Sequence, residues 1–493
     1  METGSNVLLV AHSEYRGVYI GVARRLKKEF DAKIHVYVVT EQEVDYYRRI
    51  DKEGLFASIT VARALYTTCK EPVADPKAVI AEARANEREL GITINRLAVS
   101  DRHLGRGYSL GGYRHPRSRI SEETSYAQML AGFNAVIAFW RREIEEKRPA
   151  LILNAGKVQN VVARHFGVPT RLLAGARFKN RYYWAIDEFY TNPRLEPAFR
   201  RIEDAPADES YALDVPYESY WRILQKTRKE VTFFKTVKHI ARIFLRHTYW
   251  RLRGYDKAKG YYVAENLAYA WRSYRATRQM TEENLPALDD IAGTPFVFFP
   301  LATEPEVALQ LLSPEYFYQL PAISSVSRDL PAGYEILVKE HYFATGRRPT
   351  DFYGQITEFA NVRMMNMAVL GIDAVRASSA VVTITGTGGF EGAALGKPVV
   401  VFGRHNIYGF LSHVKVVTQE EQIQGYLQEV LDDNFDAAKA KADGHRFLQA
   451  LVETSFDLLD FQPIDPESIS EEAIDVAFGE LIGSLAPTGS AAA

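Results

Sequence analysis

At 493 residues the chain exceeds what one hydrophobic core supports, since cores stop growing near about 250–300 residues, so it divides into domains. Apolar residues at 47% and charged residues at 25% exclude a chain dominated by disorder. A formal net charge of −2 excludes bulk attraction to nucleic acid, and the single cysteine, Cys69, excludes an internal disulfide or a cysteine-rich zinc site and fits a reducing, cytoplasmic address.

The first residues lead straight into the apolar run 6–11 without a basic segment, so no signal peptide is expected, and no window reaches the roughly 18 apolar residues of a membrane span. After this first strand come His12, Ser13 and Glu14, a helical pattern to Phe30 and a strand at Ile34–Val39. That is the spacing of a parallel β-α-β unit. The rhythm resumes after a long helix over Ser125–Lys147, with a strand at Ala150–Asn154, a helix over Lys157–Phe166 and a strand at Thr170–Leu173. Residues 1–195 are therefore expected to form a Rossmann-type domain.

Residues 196–292 lose the strand signal and read as a helical, basic insertion. Positions 222–257 carry eleven Lys or Arg against Glu230 and Asp256. Either this is a solvated helical face, or its interleaved Phe233, Phe234, Ile243, Phe244, Trp250 and Leu252 make it a contact surface for an anionic membrane or acceptor. From Thr294 strands return at Phe296–Phe299, Tyr334–Lys339, Ala380–Ile384 and Lys397–Phe402, and helices follow near Glu420–Leu431 and Ala437–Leu451. The expected fold class is α/β, with residues 293–485 forming a second Rossmann-type domain; two such domains facing across a cleft are the GT-B architecture if the function is sugar transfer.

The densest chemical signal is VVTITGTGGFEGAALGKPVVVFG at 381–403. A β-branched strand runs into Thr385, Gly386, Thr387, Gly388 and Gly389, with a short helix expected from Phe390. Glycines there permit positive φ and close backbone approach, so amides of the turn can face a phosphate. On that reading Gly388→Val blocks nucleotide binding and leaves the fold intact. Glu391 is placed to accept hydrogen bonds from ribose hydroxyls. Any α/β turn can need glycine, so the cluster alone leaves a purely structural role open.

Lys339, Glu340 and His341 end a predicted strand, where open α/β sheets bind ligands. With Arg347 and Arg348 they supply cations that neutralise a departing phosphate without a metal; at least one of the two arginines is expected to be solvated. On the acceptor side, His12, Ser13, Asn154 and Gly156 follow strands of the first domain, with Lys157 beside them. The glycine-rich stretch 104–116 reads as a mobile loop, and Glu14 or Asp101 as a general base. Glu14 with Ser13 can equally cap the first helix. No aspartate pair sits on a loop after a strand, Asp289 and Asp290 lying in an acidic linker, so no metal or other cofactor is expected.

The ordered series FFPLATEPE, LPAGYEILVKEH, TDFYGQI, NVRM and TITGTGGFEGAALGKPVVVFG, between Phe298 and Gly403, resembles the capsule polysaccharide biosynthesis family of bacterial glycosyltransferases. The resemblance implies a GT-B fold, a nucleotide-activated donor on the C-terminal domain and work at the inner membrane face. By motif match it adds Glu304, Glu306, Pro398 and, at the donor site, Lys397 to the candidate residues. Two departures stand out. Tyr342 occupies the place of the family's usual proline, and Leu173-Ala174-Gly175 lacks the acidic residue of Kdo-transferring relatives, with Asp187 and Glu188 as nearby alternatives.

The leading expectation is a metal-independent glycosyltransferase moving a sugar from a CMP- or UDP-linked donor to a glycan or glycolipid. A non-catalytic nucleotide- or glycan-binding subunit of an export complex is the alternative. A nucleotide-sugar 2-epimerase has the same two-domain shape, but the converging carboxylates and histidines it needs cannot be assembled from this sequence.

Overall fold

The computed structural model describes residues 1–101, 124–214, 231–252, 263–281, 285–291, 293–303, 306–341, 344–348, 351–463 and 465–486. The strands, in chain order, are β1 (Asn6–Val10), β2 (Lys33–Val38), β3 (Phe56–Val61), β4 (Leu151–Leu153), β5 (Thr170–Gly175), β6 (Arg181–Ala185), β7 (Phe296–Pro300), β8 (Glu335–Lys339), β9 (Val362–Met365), β10 (Ala380–Thr383), β11 (Val399–Val401), β12 (Val414–Val416) and β13 (Phe456–Asp457). They build two sheets in two compact units. The chain is thus α/β with two largely parallel-sheet domains, as its rhythm suggests.

One unit comprises Met1–Ala98, Glu122–Ala198 and Leu451–Ala493. Its sheet runs β13-β6-β5-β4-β1-β2-β3. From β3 through β5 every pairing is parallel, and β6 turns back antiparallel against β5 and β13. The strands are short apolar runs because helices cover both faces, which leaves no water-facing side to carry polar residues. Val7, Leu9, Ile34 and Val36 pack under Val18, Val22 and Leu26 of the helix Arg16–Phe30. The long helix Tyr126–Lys147 starts at a capping box, Ser125 Oγ accepting from the Gln128 amide while Gln128 Oε1 accepts from the Ser125 amide.

The C-terminal boundary departs from expectation. Residues after Leu451, read as the end of the second domain, belong to the first. β13 extends its sheet through Phe456 and Tyr182, and the helix Glu471–Leu485 lies on the helix Arg16–Phe30. Ile474, Ala477 and Leu481 are buried there, and Trp184 Nε1 donates to the Ala477 carbonyl at 2.9 Å. Burying side chains the size of Ile and Leu contributes about 1.5–3 kcal/mol each, enough to hold a returning segment on the domain it left.

The second unit comprises Val99–Ser121 and Phe199–Ala450, so the basic helical region belongs to it rather than standing between domains. Its sheet, β12-β11-β10-β7-β8-β9, is parallel throughout. Its first strand, β7, lies in the middle: the chain moves outward through β8 and β9, then returns to the other side of β7 with β10. This is the doubly wound order in which ligands sit outside the carboxyl ends of the strands, where the winding reverses. Val297, Phe299, Ile336, Val338, Val382 and Val400 form the core beneath that edge.

Candidate functional site

The winding reverses between β7 and β10. β10 ends at Thr383, the chain turns through Ile384, Thr385 and Gly386, and the helix Thr387–Ala394 begins three residues before the expected Phe390. Thr385 and Glu391 are buried and Thr387 is exposed. Gly386, the N-cap residue, brings no capping side chain. Of the amides around the turn, Gly386 donates to Thr383 Oγ1 at 3.1 Å and Gly389 to the Gly386 carbonyl at 3.2 Å. Thr387 and Gly388 carry the first two helical amides, which lack intrahelical partners by position and face the positive end of the helix dipole.

The glycines act differently from the sequence expectation. None of Gly386, Gly388 and Gly389 has positive φ. They are required by packing: a Cβ on Gly388 would lie 2.9 Å from Pro300 Cγ at the end of β7, and one on Gly389 would lie 2.3 Å from Tyr408 Oη and 2.6 Å from Thr383 Cγ2. Gly388→Val therefore strains the fold as well as the turn. The helix is pressed onto β7 and β10, which brings its N-terminus to the carboxyl edge of the sheet.

β8 delivers the charged groups. Lys339 is 9% exposed, and burial pushes its ammonium down to about 8, against the pull of the Glu340 and Glu391 carboxylates. Glu340, expected to bind the donor, is instead saturated. Its Oε2 accepts from Arg348 Nε and Tyr353 Oη at 2.8 and 2.6 Å, and its Oε1 from Arg348 Nη2 and the His341 amide at 2.8 and 2.6 Å. Burial alone would raise its pKa, but the Arg348 guanidinium and these hydrogen bonds hold it below the usual carboxylate range. A carboxylate with four donors in place has no capacity for a ligand, so its role is to hold this strand end. Burial and the same carboxylate push the Tyr353 phenol well above its ordinary pKa and keep it a donor.

His341 follows on that anchor, its Nδ1 3.0 Å from Thr303 Oγ1 at the end of β7. Burial is the main cause that lowers its pKa to about 4, with the Glu340 carboxylate opposing the fall and the cations Lys339, Arg348 and Arg347 adding to it. The residue still keeps solvent-exposed surface, yet at pH 7 the ring is neutral. Arg347 is half-buried with Nε 3.4 Å from Tyr269 Oη. Arg348 is buried, with Nη2 also donating to the Ala302 carbonyl at 2.7 Å, so neither arginine is a solvated loop residue. Between His341 and Arg347, Gly346 has φ +79°, and a Cβ there would meet the Ser273 amide nitrogen at 2.4 Å, so only glycine lets this loop close on the helix Val263–Met280. Thr303, Tyr353 and the buried role of Arg348 escaped the sequence reading; their only signal was position at strand ends or a turn away.

Lys397 is displaced from the site. Its Nζ donates to the Ser378 carbonyl at 2.9 Å, and both residues precede their strands, β11 and β10, so they lie at the amino edge of a parallel sheet. Burial lowers its pKa there. Pro398 shares that edge. Glu306 is half-buried at the N-cap of the helix Val307–Leu312, its carbonyl accepting from the Gln310 amide at 3.0 Å, while Glu304 and Tyr342 lie outside the described residues. Asp290 Oδ2 accepts from the Ala287 amide at 2.8 Å, a local turn.

In the first unit the winding reverses between β1 and β4. His12 Nδ1 accepts from the Glu14 and Tyr15 amides at 3.1 and 3.3 Å, so His12, rather than Ser13 or Glu14, caps the approach to the helix Arg16–Phe30. Ser13 and Glu14 are exposed at that edge. Asn154, with φ +58°, ties the strands together: its Nδ2 donates to the Val10 carbonyl at 2.9 Å and its Oδ1 accepts from Tyr19 Oη at 3.4 Å. Gly156 is the N-cap of the helix Lys157–His165. Lys157 and Arg164 neutralise the buried Glu188 at 3.8 and 2.7 Å, and Asp187 closes its own turn on the Phe189 and Thr191 amides, so neither carboxylate is available for chemistry. Ala174 lies within β5, opposite Tyr183 of β6, so that position is a buried strand position rather than a turn. Asp101 is half-buried and is assigned to the other unit from Glu14; the stretch 104–116 lies outside the described residues.

Residues 208–416 match the family model described as capsule polysaccharide biosynthesis protein, the family that the motifs between Phe298 and Gly403 resemble. No curated protein matches significantly. Solved structures similar to this chain include the beta Kdo 2,7 transferase of Thermosulfurimonas dismutans KpsC, 14% identical over 69% of this chain and 88% of that one at a TM-score of 0.33. The beta Kdo 2,4 transferase of the same protein is 13% identical over 60% and 79% at 0.29. A UDP-GlcNAc 2-epimerase from Neisseria meningitidis bound to UDP-GlcNAc is 12% identical over 97% and 100% at 0.28. With every TM-score below 0.5, the fold rests on strand order and register rather than on these likenesses.

Proposed function

We propose that this protein is a glycosyltransferase that binds a nucleotide-activated sugar, CMP- or UDP-linked, at the carboxyl edge of its second sheet and passes the sugar to a surface glycan or related acceptor. The observation that carries the reading is the convergence at one strand-order reversal of an uncapped helix N-terminus at Thr387, a buried cation at Lys339 and a neutral imidazole at His341. The match to the capsule polysaccharide family supports it.

The chemistry follows from charge. When the bond between sugar and phosphate breaks, negative charge grows on the leaving phosphate. The Thr387 and Gly388 amides and the Lys339 ammonium stabilise that charge from fixed positions, without reorganisation and without a metal. Thr303 Oγ1, 3.0 Å from His341 Nδ1, orients the neutral ring for a hydrogen bond to the phosphate or a proton exchange with the acceptor hydroxyl. The Glu391 carboxylate lies one turn into the helix and suits a ribose hydroxyl. In the first unit, Ser13, Glu14 and Gly156 at the β1/β4 reversal form the acceptor side, with Glu14 as general base.

A thermal-shift panel of CMP, UDP, GDP and their sugars tests the reading, because a ligand of the native state raises stability as RT ln(1 + [L]/Kd). One nucleotide class is expected to stabilise the protein, with turnover unaffected by EDTA. If no nucleotide shifts the transition, the donor assignment is wrong. If a nucleotide binds but its sugar is neither transferred nor hydrolysed, the chain is a binding subunit, and if chelation stops turnover the metal-free mechanism fails.

A further inference from the structure

The helix Phe233–Leu252 has three faces, read from a repeat of about 3.6 residues per turn. Thr236, Ile240, Ile243 and His247 form the least exposed stripe, and the helix packs against Val263–Met280. On one flank of that stripe stand Lys235, Lys238, Arg242 and Arg246, spaced three, four and four residues apart and all exposed. The remaining arc is apolar and also exposed: Phe234 at 84%, Phe244 at 59%, Leu245 at 68% and Leu252 at 82%. The twenty residues include no Asp or Glu.

A solvated helix face does not expose four large apolar side chains in one arc, and such a patch marks an interaction surface. The geometry points to an anionic lipid surface as its partner: the apolar arc enters the headgroup boundary while the lysines and arginines beside it reach lipid phosphates and carboxylates. Charge complementarity favours this occupant over a second copy of the chain, because two such helices would bring ten Lys and Arg side chains together with no carboxylate of their own between them. An independent observation agrees. At the N-terminal end of the helix, Phe233 packs with Trp271 and Tyr274 at ring separations of 6.4 and 6.2 Å, and Trp271 is 41% exposed. Rings of this type prefer the interface between headgroups and acyl chains. Among the described residues no helix is long and apolar enough to cross a membrane, so this one lies along the surface. The inference does not depend on the sugar-transfer reading. It does connect to that site, since Tyr269 and Ser273 of the packed helix meet Arg347 and Gly346 in the loop after His341.

The test is co-sedimentation of the full chain with vesicles of phosphatidylcholine alone and of phosphatidylcholine with phosphatidylserine, at low and at physiological salt. Binding to the anionic vesicles only is expected, weakening with salt as the screening length shrinks to about 8 Å. The variant K235Q/K238Q/R242Q/R246Q should partition about a hundred- to a thousandfold more weakly. F234S/L245S/L252S should lose the fraction that survives physiological salt, and F234W should shift its emission to the blue on anionic vesicles. Circular dichroism of each variant confirms that the change is in binding, since all the altered side chains are exposed. The proposal is overturned if the parent ignores anionic vesicles at low salt, if it binds neutral vesicles equally, or if the apolar substitutions change only self-association.

Discussion

Replacing Lys339 by Met separates binding from stability. The ammonium is 9% exposed, and its pKa falls from 10.5 unfolded to about 8 folded. At 1.36 kcal/mol per unit, this costs the native state about 3 kcal/mol at pH 7, where the group is charged in both states. Between pH 8 and 10.5 the unfolded chain binds the extra proton, so this contribution makes parent stability rise with pH across that window. Met retains the length of the stem and removes the charge. K339M is therefore expected to be more stable than the parent by up to about 3 kcal/mol at pH 7, an advantage that shrinks towards zero near pH 10.5. Urea denaturation across pH 7–10 measures it. The same change removes a charge-assisted contact to the donor phosphate and should weaken nucleotide binding by about ten- to a hundredfold. Parent affinity should itself decline above pH 8 as Lys339 deprotonates. A variant that is less stable than the parent at pH 7, or that binds nucleotide equally well, refutes the assignment of Lys339 as a desolvated cation kept for an anion.

Gly389→Ala should destabilise the second unit by about 1–3 kcal/mol in urea, despite Ala being the better helix former, because the added methyl meets Tyr408 and Thr383; unchanged stability would show that the helix is not pressed on the sheet. Arg348→Met leaves Glu340 buried without its cation and should cost about 3–5 kcal/mol, while the double change with Glu340→Gln should recover a large part of it, a coupling read from a double-mutant cycle. Thr303→Val removes the partner of His341 Nδ1 and should lower turnover up to about tenfold with donor KM unchanged; equal losses in both would mean that Thr303 shapes the pocket rather than the imidazole.

The two-sheet organisation was legible in the sequence because buried parallel strands are short apolar runs whose period differs sharply from that of the helices between them. Eight of the thirteen strands among the described residues were found this way. The missed ones, such as β3 with its exposed edge, the two-residue β13 and the Arg-containing β6 and β9, are partly polar or too short to show a period. The glycine turn and the charged end of β8 were also visible as local chemistry at strand ends. What those residues do was decided by neighbours remote in the chain. Lys397 reads like a site residue beside a glycine turn, yet a parallel sheet sends it to the edge opposite Lys339. Glu340 and His341 are adjacent in sequence; Arg348 and Tyr353 saturate the one, while Thr303 holds the other. The C-terminal helix carries an amphipathic pattern that specifies a buried face without specifying against what, and only packing on Val18 to Leu26 assigns it to the first domain. Local sequence sets period and polarity, whereas partner choice depends on which surfaces the finished sheets bring within a few ångströms, and that is a property of the fold alone.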